Sequence, residues 1–191
     1  MSEGLVELYP NHVASVVQRA ERALAFANFD HLLIASGREQ YRFLDDRPLP
    51  FVSHPPFKAF VPLTQQTDSW IVVTPGRKPI LVYCLPDDYW HLPPAAPHGY
   101  WVEQFDIRVI RTPDDAAQHF PAFSDKLAII GEAHDTVGVY RPNNPVRVLS
   151  SLHYTRSAKT EYELSCMRLA QSRAVRGHRA HTTRAQRSSP A

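Results

Sequence analysis

Two stretches dense in proline decide what this chain can fold into. Residues 45–62 hold Pro48, Pro50, Pro55, Pro56 and Pro62, and residues 86–97 hold Pro86, Pro93, Pro94 and Pro97. Proline has no backbone N–H and a fixed φ, so it is excluded from central strands and helix interiors. Both stretches therefore read as long loops, and regular structure is confined to the segments around them. With 17 Pro but only 7 Gly in 191 residues, the chain lies below the level of a low-complexity sequence. Its hydrophobic content of 43% and charged content of 21% are those of a folded globular chain long enough to bury a core.

The segments left over alternate between helix and buried strand. From Pro10 to Phe29, Val13, Val16, Val17, Ala20, Leu24 and Ala27 recur at three- and four-residue spacing, opposite Gln18, Arg19, Glu21 and Arg22. That period predicts an amphipathic helix, with Asn11 as its cap. Leu32-Leu33-Ile34-Ala35, stopped by Ser36-Gly37, predicts a short buried strand. Trp70–Val73 and Ile80–Tyr83 are β-branched runs joined across a turn-rich connector, which predicts a hairpin. Phe105–Ile110 and Leu127–Ile130 predict two more strands, with a short helix between them starting at Thr112-Pro113-Asp114-Asp115. Asn144-Pro145 opens a further helix, and the capping box Thr160-Glu161-Tyr162-Glu163 opens a long last one. Helix alternating with buried strand places the chain in the α/β class.

Charge is uneven. The 21 Lys and Arg against 19 Asp and Glu give a net +2, yet the last acid is Glu163. Beyond it lie six arginines, which leaves 15 basic against 19 acidic residues in 1–163, a net −4. A basic end of this kind either binds nucleic acid or lines the outer face of a helix, and the second reading is the one expected here. Cys84 and Cys166 sit in apolar surroundings and read as small buried hydrophobes, with no disulfide or zinc framework. No run of 18 apolar residues and no signal-like start occurs, so a cytoplasmic protein without membrane contact is expected.

Signatures of chemistry are sparse. There is no dinucleotide or phosphate-loop glycine pattern, no nucleophile elbow and no His-Glu-x-x-His helix. Glu132, His134 and Asp135 follow a strand end, where open α/β sheets bind ligands, and offer a metal-ligand set. Three near-adjacent residues without distant partners more often form a solvated turn. Asp45 and Asp46 stand at the end of Tyr41-Arg42-Phe43-Leu44, and Asp88-Tyr89-Trp90-His91 forms an aromatic tip between proline loops.

The segment Leu152-His153-Tyr154-Thr155-Arg156-Ser157-Ala158-Lys159-Thr160-Glu161-Tyr162-Glu163, continuing to Gly177-His178-Arg179-Ala180, resembles the junction between domains in bacterial Xaa-Pro dipeptidases, the prolidases. Phe43-Leu44-Asp45-Asp46, Phe57-Lys58-Ala59-Phe60-Val61-Pro62 and Asp88-Tyr89-Trp90-His91 resemble that family's amino-terminal domain in the same order. The resemblance implies an amino-terminal domain of the creatinase type over 1–156, a mixed sheet flanked by helices with a ribonuclease H-like motif. It implies that 157–180 is a linker plus the first helix of a pita-bread catalytic domain. In the complete family enzyme that catalytic domain holds two manganese ions through two aspartates, a histidine and two glutamates. By the same resemblance, Asp45 and Trp90 reach into the substrate pocket of a partner subunit, with Asp46, Tyr89 and His91 beside them.

The resemblance stops after Ala180, and residues 181–191 match no family segment and are expected to be disordered. The expectation is therefore a non-catalytic domain without metal ligands or cofactor, acting in dimer contacts and pocket closure. Its partner is a second copy or a full-length relative, and no nucleic acid is expected. Two other readings are a residual metal-dependent hydrolase using Glu132, His134 and Asp135, and a nucleic-acid-binding module using the basic end.

Overall fold

The structure, a computed structural model, describes residues 3–87 and 95–187, with side chains described for 4–87 and 95–179. Its centre is a five-stranded mixed sheet of β1 (His31–Ala35), β2 (Trp70–Val73), β3 (Ile80–Cys84), β4 (Asp106–Ile110) and β5 (Leu127–Ile130), in the order β4-β3-β2-β1-β5. The pair β1/β5 is parallel, with Leu33 opposite Ile129, and β3/β4 is parallel, with Val82 opposite Arg108. The two central pairings, β1/β2 and β2/β3, are antiparallel.

β2, β3 and β5, and β1 after His31, read as unbroken apolar runs because both faces of the sheet are covered there; β4, at the edge, carries Asp106 and Arg108 and is partly exposed. Successive side chains point to opposite faces, so alternate residues enter different cores. Leu32, Ile34, Ile71, Val73, Leu81 and Tyr83 join one cluster beneath the helices α1 (Glu3–Ala27), α2 (Pro55–Phe60) and α3 (Val146–Thr155). Leu33, Ala35, Trp70, Val72, Val82 and Cys84 join the other, closed by the 3-10 segment Pro113–His119, Val137 and Tyr140. There Phe120 lies edge-on between Trp70 and Tyr140, with ring centroids 5.1 and 5.0 Å away.

Three expectations need correction. The first helix begins at Glu3 and not near Pro10, which lies inside it. Proline leaves the Val6 carbonyl without its helical donor, but the turn before it is held by Leu5 and Tyr9, both buried, the tyrosine hydroxyl donating to Phe60 O at 2.7 Å. Asn11 is consequently a helix-interior residue whose carbonyl accepts from Ser15 Oγ. The same helix stops at Asn28, whose φ of +63° is the left-handed conformation asparagine tolerates, with Phe29 N–H donating back to Leu24 O. Next, the proline loop 45–62 contains α2, because Pro55 and Pro56 occupy its first turn, where a missing N–H is no loss. Finally, the long last helix α4 (Glu161–Arg187) does not end at Ala180: it continues through residues expected to be disordered. Their Ala, Arg and Gln content is helix-forming, and no proline intervenes before Pro190.

The capping box at Thr160 forms as the sequence predicts, with Thr160 N–H donating to Glu163 Oε2 and Glu163 N–H to Thr160 Oγ1. α4 meets the body through Tyr162, which is buried, and Cys166; beyond them Met167 and Leu169 are exposed. No described helix is long and apolar enough to cross a membrane.

Candidate functional site

β1 runs into the loop that carries the two aspartates. At its end Gly37 takes φ +102°, and a Cβ there would lie 2.6 Å from the His54 ring, so glycine is required by both backbone and space. The loop base is fixed from several sides. Ser36 N–H donates to Ser69 O, Asp68 N–H to Gly37 O and His54 N–H to Ser36 O, while Arg38 Nε pairs with Asp68 Oδ1 at 2.6 Å. Beneath it a fully buried polar network closes: Ser69 N–H donates to Ser36 Oγ, Cys84 N–H donates to Ser69 Oγ, and the Gln66 amide donates to Cys84 O. Such networks are rigid when all members are satisfied.

From that base the chain rises as a narrow two-stranded finger. Tyr41 bridges Pro48, and Leu49 N–H donates to Gln40 O at 2.7 Å. At the tip a turn closes by Asp45 N–H donating to Arg42 O, with Leu44 at φ +56°. Asp45 Oδ1 accepts the Arg47 N–H at 3.1 Å, which orients that carboxylate while leaving it in solvent. Phe43 and Leu44 are each 92% exposed, the most exposed large apolar side chains described. Asp46 is likewise exposed. Trp90, Tyr89 and His91 lie outside the described residues.

Between the finger and the carboxyl ends of parallel β1 and β5 is a cleft of about 210 Å³, lined by Arg38, Gln40, Phe51, His54, Glu132 and His134 among others. This is the position at which open α/β sheets place ligands. His54 Nε2 is 3.9 Å from Glu132 Oε1, and its Nδ1 is 3.9 Å from Asp135 Oδ2. His134 lies 3.5 Å from Glu132 and 3.9 Å from Asp135, and the Gln40 amide is 3.1 Å from its ring nitrogen. The structure therefore brings Glu132, His134 and Asp135 together, and adds His54, Gln40 and Arg38, which the sequence reading missed. Nothing in the local sequence marks those three, because strand ends far apart in the chain assemble them.

The arrangement does not suit a metal pair. Asp135 is buried and its Oδ2 accepts the Glu132 N–H at 2.7 Å, closing the 3-10 turn Ala133–Asp135. Among the described residues no group of three His, Cys, Asp or Glu could hold a metal ion. The family resemblance assigns the manganese pair to the catalytic domain of the complete enzyme, and the donors gathered in this cleft do not form a set that fits it.

A second polar centre lies where α1 meets α2 and the start of α4. His12 is buried with Nε2 2.9 Å from Ala59 O and Nδ1 2.9 Å from Thr160 Oγ1. Burial lowers its pKa, opposed by the bond to Ala59. Tyr9 and Tyr162 pack around it, burial raising both phenols, and Tyr162 OH shares a 2.7 Å hydrogen bond with Tyr100 OH.

A mixed sheet covered on both faces, with a rigidly based finger projecting from a strand end, defines an α/β domain that presents a loop outward. Residues 7–154 match the family described as Xaa-Pro dipeptidase, N-terminal domain. The chain belongs to the Xaa-Pro dipeptidase family, and the matched region is the family's amino-terminal domain. It is 49% identical over 176 residues to the Xaa-Pro dipeptidase of Xanthomonas axonopodis pv. citri, a match covering 92% of this chain and 40% of that protein. It is 51% identical over 173 residues to the Xaa-Pro dipeptidase of Xanthomonas campestris pv. campestris strain B100, covering 91% and 39%. Against that of Stenotrophomonas maltophilia the identity is 49%, with the same two shares. The chain spans about 40% of the length of these curated relatives.

Proposed function

We propose that this chain serves an Xaa-Pro dipeptidase as its non-catalytic amino-terminal domain, which joins subunits and closes a partner's substrate pocket. The observation that carries the reading is the finger at 38–52, in which a rigid base holds Phe43, Leu44 and Asp45 away from the body. Large apolar side chains fully in water favour association, since burying each contributes about 1.5–3 kcal/mol. The knuckle of Phe43 and Leu44 anchors the finger on a neighbouring subunit, and Asp45 and Trp90 then face the dipeptide there. Asp46, Tyr89 and His91 line the same approach. The neighbour is a second copy or a full-length relative, the domain itself contributes no metal ligand, and the manganese pair belongs to the complete enzyme.

The test is a dipeptidase assay with excess manganese and a Gly-Pro substrate, run on this chain alone and on a relative of full length carrying Asp45→Ala or Phe43→Ser at the matching positions. No turnover by the chain alone, with a rise in KM for the aspartate variant and weaker subunit association for the phenylalanine variant, supports the proposal. Turnover by the chain alone that disappears in His134→Ala would replace it with a metal-dependent hydrolase centred on Glu132, His134 and Asp135.

A further inference from the structure

The two edges of the sheet are finished in different ways. Along the outer edge of β5, Asn143 works as a substitute strand: its Oδ1 accepts the Ile129 N–H at 2.9 Å and its Nδ2 donates to Leu127 O at 2.8 Å. Asn144 does the same one step on, accepting from Gly131 N–H and donating to Gly131 O. That edge is closed to any further strand.

The other edge, β4, has no further strand on it among the described residues. Asp106 N–H donates to Pro79 O and Leu85 N–H donates to Ile110 O, with Ile80 opposite Asp106 and Cys84 opposite Ile110. In a parallel ladder this assigns the backbone groups of Asp106, Arg108 and Ile110 to β3, so those of Ile107 and Val109 point away from the sheet. Among the described residues nothing pairs with them. Arg108 and Val109 are exposed, and Arg108 Nη2 sits 2.7 Å from Asp106 Oδ2 on one face of the strand. Unpaired edges of this kind are templates for another strand.

We propose that the β4 edge is a self-pairing surface, on which a second copy of this chain adds its own β4 antiparallel and joins two sheets into one. Two-fold symmetry demands the antiparallel sense, and charge selects the register. With Ile107 opposite its own counterpart, the outward groups of Ile107 pair across the axis. Asp106 of each copy then faces Arg108 of the other in the non-hydrogen-bonded positions, where side chains lie closest. On the opposite face Val109 lies across from Phe105 of the other copy, whose side chain is buried and whose N–H is taken by Val102 O, so the ladder is extended there by Val109 N–H donating to Phe105 O. Sliding the register to put Ile107 opposite Val109 would set Arg108 against Arg108, a like-charge pair directly across the strands. The surface lies at the sheet edge opposite β5 and uses none of the finger's residues, so it is independent of the function proposed above.

Sedimentation equilibrium at low ionic strength tests it with three charge variants of the whole chain. Asp106→Arg and Arg108→Asp, each alone, weaken self-association by roughly tenfold or more, because both cross-strand pairs become like-charged. Mixing the two variants restores association, since the edge made wholly basic in the first then faces the edge made wholly acidic in the second; the doubly exchanged chain also recovers the unaltered value. Val109→Pro, which removes one outward N–H and no internal bond, weakens association as well. The charge positions are exposed, so circular dichroism and melting verify that each variant is folded. A monomeric chain, single reversals without effect, or a mixture that fails to recover would overturn the proposal. Loss of association in Phe43→Ser alone, with the β4 variants unaffected, would also overturn it and assign the contact to the finger.

Discussion

His12 Nδ1 stands 2.9 Å from Thr160 Oγ1, so that a side chain of the first helix bonds the cap of the last one, 148 residues away. Ala59 O can only accept, so His12 Nε2 carries the proton given to it. Thr160 Oγ1 already accepts the Glu163 N–H, which leaves its own hydrogen for His12 Nδ1. Neutral imidazole thus satisfies both neighbours in one direction of donation: α4 to Thr160, Thr160 to His12, His12 to α2. This is the point at which α1, α2 and α4 meet.

Because burial lowers the His12 pKa, the unfolded chain takes up this proton first as pH falls. Its contribution to stability is complete above about pH 6.5, the usual histidine value, and is lost as pH drops below it through the folded-state value. Glu163 opposes the shift and Arg19 adds to it, so both charges belong in the comparison. His12→Gln keeps a neutral donor at every pH. Thermal melts of the two chains should converge as pH falls from about 7.5 to about 5; a parallel pair of curves would show that His12 does not titrate in this window.

Thr160→Ala removes the N-cap acceptor and the donor to His12 in one change. The loss of a cap costs about 1 kcal/mol, and an unsatisfied buried histidine nitrogen about 1–3 kcal/mol more. Thr160→Ser retains both bonds and should stay within about 0.5 kcal/mol of the unaltered chain. A double-mutant cycle of His12→Ala with Thr160→Ala, followed by urea unfolding, should return a coupling energy of at least about 0.5 kcal/mol. Strict additivity would mean that the contact stores no interaction energy.

Cys84 is buried and its thiol is pushed up to about 11 by that burial, with Asp68 adding to the shift. At pH 8 its thiolate fraction falls roughly hundredfold below that of an ordinary thiol, before any steric protection is counted. In a Cys166→Ser background, an aromatic disulfide reagent should label Cys84 at least a hundredfold faster once the chain is unfolded in urea. Comparable rates in both states would contradict the packing of Cys84 between β2, β4 and the Pro113–His119 segment.

Much of this architecture was legible in the sequence where local chemistry decides it. The strands Leu32–Ala35 and Leu127–Ile130 are apolar runs stopped by glycine, the β2/β3 hairpin is two such runs around Gly76, and Thr160 and Glu163 form a capping box by spacing alone. What escaped the reading is what depends on distant residues. Helix α1 passes through Pro10 because Leu5 and Tyr9 are buried by a core that the local sequence cannot display. Helix α2 hides inside a proline loop because its prolines fall at the first turn. Glu132, His134 and Asp135 were visible as a cluster and as a turn, but the burial of Asp135 and their company of His54, Gln40 and Arg38 follow from the alignment of β1 and β5. For the same reason the opposite finish of the two sheet edges could not be seen: the side chains of Asn143 and Asn144 close β5 from a loop that carries no strand pattern.

Gly37 offers the sharpest separation of finger from body. Any β-carbon at this position meets the His54 ring at 2.6 Å while the backbone is held at φ +102°, so Gly37→Ala combines a clash with a conformation that L-residues rarely adopt. Strain of this sort costs on the order of 1–3 kcal/mol. The buried network of Ser36, Gln66 and Ser69 lies below Gly37 and is fully bonded, so the sheet beneath should survive. Relief is available only by moving His54 or the strand that leads to Arg38, either of which displaces the finger. Gly37→Ala should therefore lower the melting temperature by a few degrees, leave amide protection in β1 and β2 largely intact, and raise hydrogen exchange at Leu49 N–H, which donates to Gln40 O. If Leu49 stays protected while the strands lose protection, Gly37 is a determinant of the core and the finger is set by its own turn at Arg42–Asp45.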